Sequence, residues 1–108
     1  MIAKTPQPPY YAVIFSSVHT PFDEGHEAML EKMVRLAEQQ PGFLGWESAR
    51  SEIGITVSYW ESEQAIKAWK GNLDHLEAQS LGRKRWYERF KTRVAKVERD
   101  YAFERLRD

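Results

Sequence analysis

The apolar positions of this chain repeat with two alternating periods. From Tyr10 to His19 the period is two: Tyr11, Val13, Phe15 and Ser17 alternate with Tyr10, Ala12, Ile14, Ser16 and Val18. Both sets are largely apolar, so both faces of this strand are expected to be covered. A period near 3.6 follows. Met29, Met33 and Leu36 recur at i, i+4 and i+7 with Leu30, Val34 and Ala37 beside them, making one broad face of a helix that runs to about Gln40. Thr20 is the expected N-cap, with Pro21 at the first helical position and Asp23 as the rival cap; Pro41-Gly42 stops the helix.

Phe43 to Arg50 and Gly54 to Trp60 return to strand character, and the short link Ser51-Glu52-Ile53 joins them as a hairpin. In the later strand Ile55, Val57 and Tyr59 alternate with Thr56, Ser58 and Trp60. Gly45 marks a bulge or a close approach to the backbone. Ser62 is the expected cap of a second helix with Ala65, Ile66, Trp69 and Leu73 as its inner stripe. Gly71-Asn72 weakens that helix, and Asn72 or Asp74 is expected to cap a further segment from Leu76 to Leu81, broken by Gly82. A short helical piece with Trp86 and Phe90 four apart precedes a last strand, Thr92 to Val97, which Tyr101 and Phe103 extend. Residues 1–9, with Pro6, Pro8 and Pro9, read as an extended arm, residues 10–103 as the domain, and residues 104–108 as a frayed tail.

The order is β-α-β-β-α-β with extra helix before the last strand. That is the ferredoxin-like arrangement, an α+β fold with both helices on one face of a four-stranded antiparallel sheet. A first strand that is apolar on both faces calls for cover on the second face too. A second copy of the same sheet in a two-fold dimer supplies it, and about 800 Å² per partner is an ordinary interface. A homodimer is therefore expected.

At 108 residues the chain is long enough for one domain with a real core. It has no cysteine, which excludes disulfides, zinc–thiolate sites and thiol nucleophiles. The longest apolar run, Tyr10 to Phe15, is far short of the about 20 residues of a membrane span, so a soluble, cytoplasmic protein without a membrane partner is expected. The formal net charge is +0, unevenly spread: residues 83–99 carry eight basic side chains against Glu88 and Glu98. Such a run serves an anionic ligand or, more simply, is a solvated face, and it is read here as surface.

Chemistry is concentrated between Gly54 and Phe90, which holds Trp60, Trp69, Trp86 and His75. No glycine-rich phosphate loop follows a strand, and no His/Asp/Glu ligand set is visible. Trp69 fits the apolar stripe of its helix and can pack and line a pocket at once. An imidazole such as His75, with an ordinary pKa near 6.5, suits a general base for a hydroxyarene or a proximal haem ligand. His19 and His26, at a strand end and a helix start, read as structural.

Pro41-Gly42-Phe43-Leu44-Gly45-Trp46, then Gly54-Ile55-Thr56-Val57-Ser58-Tyr59-Trp60-Glu61-Ser62, then Ala65, Trp69 and His75 carry a resemblance to the antibiotic biosynthesis monooxygenase family of dimeric α+β barrels. The likeness covers roughly residues 10–103. It implies a monooxygenase that oxidises an electron-rich phenolic or polycyclic aromatic with O2 and needs no cofactor held by the protein. Trp69 and His75 are then the catalytic candidates, with Phe15, Arg85 and Trp86 as substrate contacts. Members with demonstrated activity pair the tryptophan with an asparagine on the same helix or on the first strand. Here Ala65 stands one turn before Trp69, and Asn72 is the sole asparagine of the chain.

Two alternatives share the fold. The family also includes haem-degrading oxygenases, for which haem is the substrate or ligand, and a non-catalytic small-molecule-binding dimer would look the same in outline. A remote alternative is the RNA-recognition fold, which has the same element order. Its third strand would need a basic residue before the glycine and aromatics for base stacking, where this chain has Ile53, Ile55 and Val57, so nucleic acid is not the expected partner.

Overall fold

The computed structural model describes residues 1–78 and 83–106, with side chains placed except at 75–84. Seven elements follow in order: β1 (Tyr10–His19), α1 (His26–Glu38), β2 (Phe43–Arg50), β3 (Gly54–Trp60), α2 (Glu63–Ala78), α3 (Arg83–Trp86) and β4 (Tyr87–Val97). The sheet order is β2-β3-β1-β4, antiparallel throughout, the ferredoxin-like topology expected. Among the described residues no helix is long and apolar enough to cross a membrane.

Register decides which side chains meet the helices. Val13 lies opposite Ser58 on β3 and Val94 on β4, and Phe15 opposite Thr56 and Thr92. With Ser17 and His19 these form the helix-facing side. The core there is Val13, Ala37, Trp60 and Ile66, with Phe43 and Trp69 packed against it. Trp60 is fully buried at 0 % exposure, its ring 5.0 Å from Trp69 and 5.3 Å from Phe43, and its indole N–H donates to Ser58 Oγ at 2.9 Å. Truncating so buried an aromatic costs about 3–5 kcal/mol.

On the opposite face Tyr10 and Ala12 are buried within the single chain. The proline-rich arm lies across this end. The Ala3 amide donates to Glu47 Oε2 at 2.9 Å, and Tyr10 accepts from Thr5 and donates to Asp100. The other end of that face carries Ile14, Val57 and the exposed Ile55, beside exposed Arg89, Lys91 and Arg93 on β4.

Four local expectations are corrected. α1 begins at His26 after Gly25 at φ 85, not at Thr20, and no side chain caps it. Thr20 is taken elsewhere: its amide donates to the Trp86 carbonyl at 2.7 Å and its hydroxyl to the Arg85 carbonyl, tying the end of β1 to the start of β4. α2 is capped by Ser62 as expected, whose Oγ accepts the Ala65 amide at 3.1 Å, but it continues through Gly71-Asn72. An interior glycine costs about 1 kcal/mol, which the packed Ile66–Trp69–Leu73 stripe outweighs. Asn72 bonds to Gln40 and Ala68, and Asp74 pairs with Lys70, so neither caps a new helix; the Leu76–Leu81 segment extends beyond the described residues. Phe90 belongs to β4, not to a helix with Trp86, because pairing with β1 starts at Tyr87. β4 ends at Val97, and Tyr101 and Phe103 lie beyond it, exposed and unpaired in strand terms.

Candidate functional site

Between the helices and the sheet lies a cavity of about 510 Å³, within the range of small-molecule sites. Its walls are mostly apolar: Val13 and Phe15 on the sheet, Met33 and Val34 on α1, Ile66 and Trp69 on α2. Two features interrupt that lining. Trp69 Nε1 is buried with no hydrogen-bond partner among the described residues. At the far end stand His19, His26 and Tyr87. Val13 and His19 are six residues apart on one strand, which sets the cavity's length at about 20 Å along β1.

The polar end is built by four elements that stop at one place. His19 closes β1 and lies opposite Tyr87 across a β-bulge. His26 opens α1, and its ring meets that of His19 at 4.3 Å, edge to face. Its Nε2 is 2.8 Å from the Tyr87 hydroxyl. Burial holds His26 below the usual imidazole range, and the positive charge of Arg50 and the neighbouring His19 add to that effect. Asp23, in the loop between them, sits 2.9 Å from Arg50 Nη2 at the end of β2 and 3.5 Å from His19 Nδ1, both through Oδ2. The Arg50 hydrogen bond, then the His19 contact, hold the Asp23 carboxyl below its usual range. The 3.5 Å separation is an ion-pair distance, too long for a hydrogen bond, and Nδ1 has no hydrogen-bond partner among the described residues.

Of the residues expected at the site, Trp69 and Phe15 line the cavity together. Trp86 is buried behind it, its ring 5.5 Å from His26 and its N–H donating to the Glu24 carbonyl at 2.9 Å. It supports the polar end rather than lining it. The Arg85 side chain is exposed, and the residue meets the loop through its carbonyl. His75 is on α2, with its side chain outside the described residues. Among the described residues, His19 and His26, expected as structural, are the histidines at the cavity, with Asp23, Arg50 and Tyr87 around them. The spacing His19-x3-Asp23-x2-His26 across a strand-to-helix loop was the signal available, since functional groups gather on such loops.

Among the described residues no group of three His, Cys, Asp or Glu side chains could hold a metal ion.

A ferredoxin-like chain with an apolar cavity under its helices defines a class, and residues 9–81 match the antibiotic biosynthesis monooxygenase family model: the chain belongs to that family. It is 52% identical over 105 residues to the uncharacterised protein YqjZ of Bacillus subtilis (strain 168), covering 95% of this chain and 92% of that one. In structure it is similar to PA3566 from Pseudomonas aeruginosa (TM-score 0.67, 16% identity, 89% of this chain and 99% of that one). It is also similar to SnoaB, a cofactor-independent oxygenase from Streptomyces nogalater (TM-score 0.68, 12% identity, 84% and 95%). At such identities the structural likenesses speak for the fold.

Proposed function

We propose that this protein is a cofactor-independent monooxygenase that oxidises an electron-rich, hydroxylated polycyclic aromatic with O2, working as a homodimer. The observation that carries this is the cavity itself: about 510 Å³, walled by Phe15, Trp69 and aliphatic side chains, with an unmatched buried N–H at one end and imidazoles at the other. Apolar walls exclude water from a reactive carbanion or aryl oxide, and the Trp69 N–H offers itself to an oxygen atom of the ring system or of O2. Family membership and the likeness to SnoaB support oxygen as the co-substrate. The balance needs no outside electrons: a ring methylene and O2 give a ring carbonyl and water. The uncovered end of the second sheet face, with Ile14, Ile55 and Val57, supports the dimer.

Oxygen uptake with reduced hydroxyanthrones and hydroxynaphthalenes under air tests the activity. One O2 consumed per quinone formed, faster than autoxidation, is expected; uptake at the autoxidation rate across that panel overturns it. Sedimentation equilibrium at micromolar concentration should give twice the chain mass, and a stable monomer overturns the dimer.

A further inference from the structure

We propose that His19 is the general base of this cavity, a catalytic residue held in orientation by Asp23, which Arg50 in turn anchors. The inference rests on the hydroxyarene reading above and names the atom that takes the substrate's proton.

Three observations converge. First, the His19 side chain is 6 % exposed and lines the cavity, so it is both dry and reachable from the ligand space. Second, its Nδ1 faces the Asp23 carboxylate at 3.5 Å while Arg50 fixes the same oxygen at 2.9 Å. A base whose far nitrogen is oriented by a carboxylate is the general arrangement for proton abstraction, and such contacts tighten as charge develops. Third, Gly54, beside Nε2, carries no side chain. A Cβ on Gly54 would stand 3.8 Å from His19 Nε2 and 3.2 Å from Ser17 Oγ; with no side chain there, a hydroxyl can occupy that niche.

His26 is the rival and is less suited, because its Nε2 is already engaged by Tyr87. Its role is to stay neutral beside His19. Asp23 from the loop, His26 from α1 and Tyr87 from β4 stand against His19, with Arg50 of β2 bound to Asp23 and Glu27 of α1 on the same cavity lining. In the step itself the aryl O–H bond breaks, an N–H bond forms at Nε2, and the electron pair stays on oxygen as the aryl oxide. The imidazolium charge is shared with Asp23. The aryl oxide is the electron-rich species that reacts with O2.

Proton abstraction can be read without oxygen chemistry. Alizarin, a dihydroxyanthraquinone whose phenolate absorbs at longer wavelength than its phenol, is titrated under argon with the wild-type protein. The bound dye should ionise about one pH unit below the free dye, a tenfold stabilisation of the phenolate. His19→Gln should bind the dye and raise its apparent pKa back by about one unit, and should slow O2 uptake about 100-fold. Asp23→Asn should give a smaller rise and displace the acid limb of the rate profile. Gly54→Ala, which leaves His19 and Asp23 in place but fills the niche, should also suppress ionisation and serves if His19→Gln does not fold. Wild type that fails to ionise the dye, whether by not binding it or by binding it neutral, overturns the proposal. So does a folded His19→Gln that ionises it as wild type does. Dye ionisation through His19 with no O2 uptake from any hydroxyarene would leave the base intact and sink the monooxygenase reading. Undiminished uptake in His19→Gln would do the reverse.

Discussion

His26 Nε2 lies 2.8 Å from the hydroxyl of Tyr87, joining the first residue of α1 to the first residue of β4 across 61 positions of sequence. The contact fastens the polar end of the cavity to the edge strand. Because burial depresses the His26 pKa, the unfolded chain binds a proton near the ordinary value, about 6.5, before the folded one does. The stability His26 contributes is full above that value and is lost as pH falls through the folded pKa. Melting temperature should therefore drop on acidification from neutrality, and drop less in His26→Gln. Tyr87→Phe should cost about 1 kcal/mol at neutral pH, or about 4–8 °C in Tm.

Trp60 and Trp69 stack at 5.0 Å, yet they should answer differently to the same substitution. Trp60 N–H has Ser58 as partner, so Trp60→Phe loses a buried hydrogen bond and leaves Ser58 Oγ without it. A cost of about 2–3 kcal/mol is expected. Trp69 N–H has no partner among the described residues, so Trp69→Phe removes an unsatisfied donor and should change stability by less than about 1 kcal/mol. Its effect should fall on the ligand instead, as a roughly tenfold loss of affinity for alizarin. Chemical denaturation and dye titration of the two variants separate the cases; unchanged dye affinity in Trp69→Phe would show that its N–H is no ligand contact.

Much of this fold was legible because its signals are local. Two-residue alternation placed β1 and β3, the short Ser51-Glu52-Ile53 link joined β2 to β3, and Ser62 announced α2 in the chain itself. β4 was half visible: its start at Tyr87 is set by pairing with β1, and a helical spacing of Trp86 and Phe90 conceals that. The opening of α1 was hidden for a similar reason. Thr20 is a good N-cap by propensity, but the Arg85 and Trp86 carbonyls, 65 or more positions away, claim its hydroxyl and amide. The site divides the same way. Trp69 and Phe15 were readable from stripes, whereas His19 and His26 gain meaning only from Arg50 and Tyr87, which reach them through sheet register. No single stretch of sequence holds that cluster.

Gly42 takes φ +87, and a Cβ there would sit 2.8 Å from Ala65 Cβ, where the start of β2 passes the first turn of α2. Its carbonyl also accepts the Glu61 amide at 2.8 Å. Gly42→Ala therefore combines backbone strain, about 1–2 kcal/mol, with overpacking of about 1–3 kcal/mol. Urea denaturation should show a loss near the sum. Pairing it with Ala65→Gly should relieve the clash and leave the strain, giving a coupling of about 1 kcal/mol or more. Simple additivity would mean that the two elements separate freely at this point.

Glu47 holds the N-terminal arm on the sheet and also governs Tyr59. Its Oε1 accepts the Tyr59 hydroxyl at 2.6 Å, and its Oε2 accepts the Ala3 amide. Ala3 in turn lies against Gly45, where a Cβ would stand 3.1 Å from its own. The Tyr59 and Ala3 bonds hold the Glu47 carboxyl below its usual range, while burial, then Glu47, push the Tyr59 phenol well up. The sign for a raised phenol is fixed: its stability contribution is full below about pH 10 and is lost as pH rises toward the folded value. Tyr59→Phe should flatten the alkaline fall in stability. The arm offers a second measurement, because Lys4 is an exposed trypsin site one residue beyond the anchored amide. A charge-assisted bond of about 1.5 kcal/mol corresponds to a roughly tenfold change in the open population of the arm. Glu47→Ala should accelerate cleavage after Lys4 by about that factor while leaving the sheet intact by circular dichroism. An unchanged cleavage rate would mean that the arm is held by something other than Glu47.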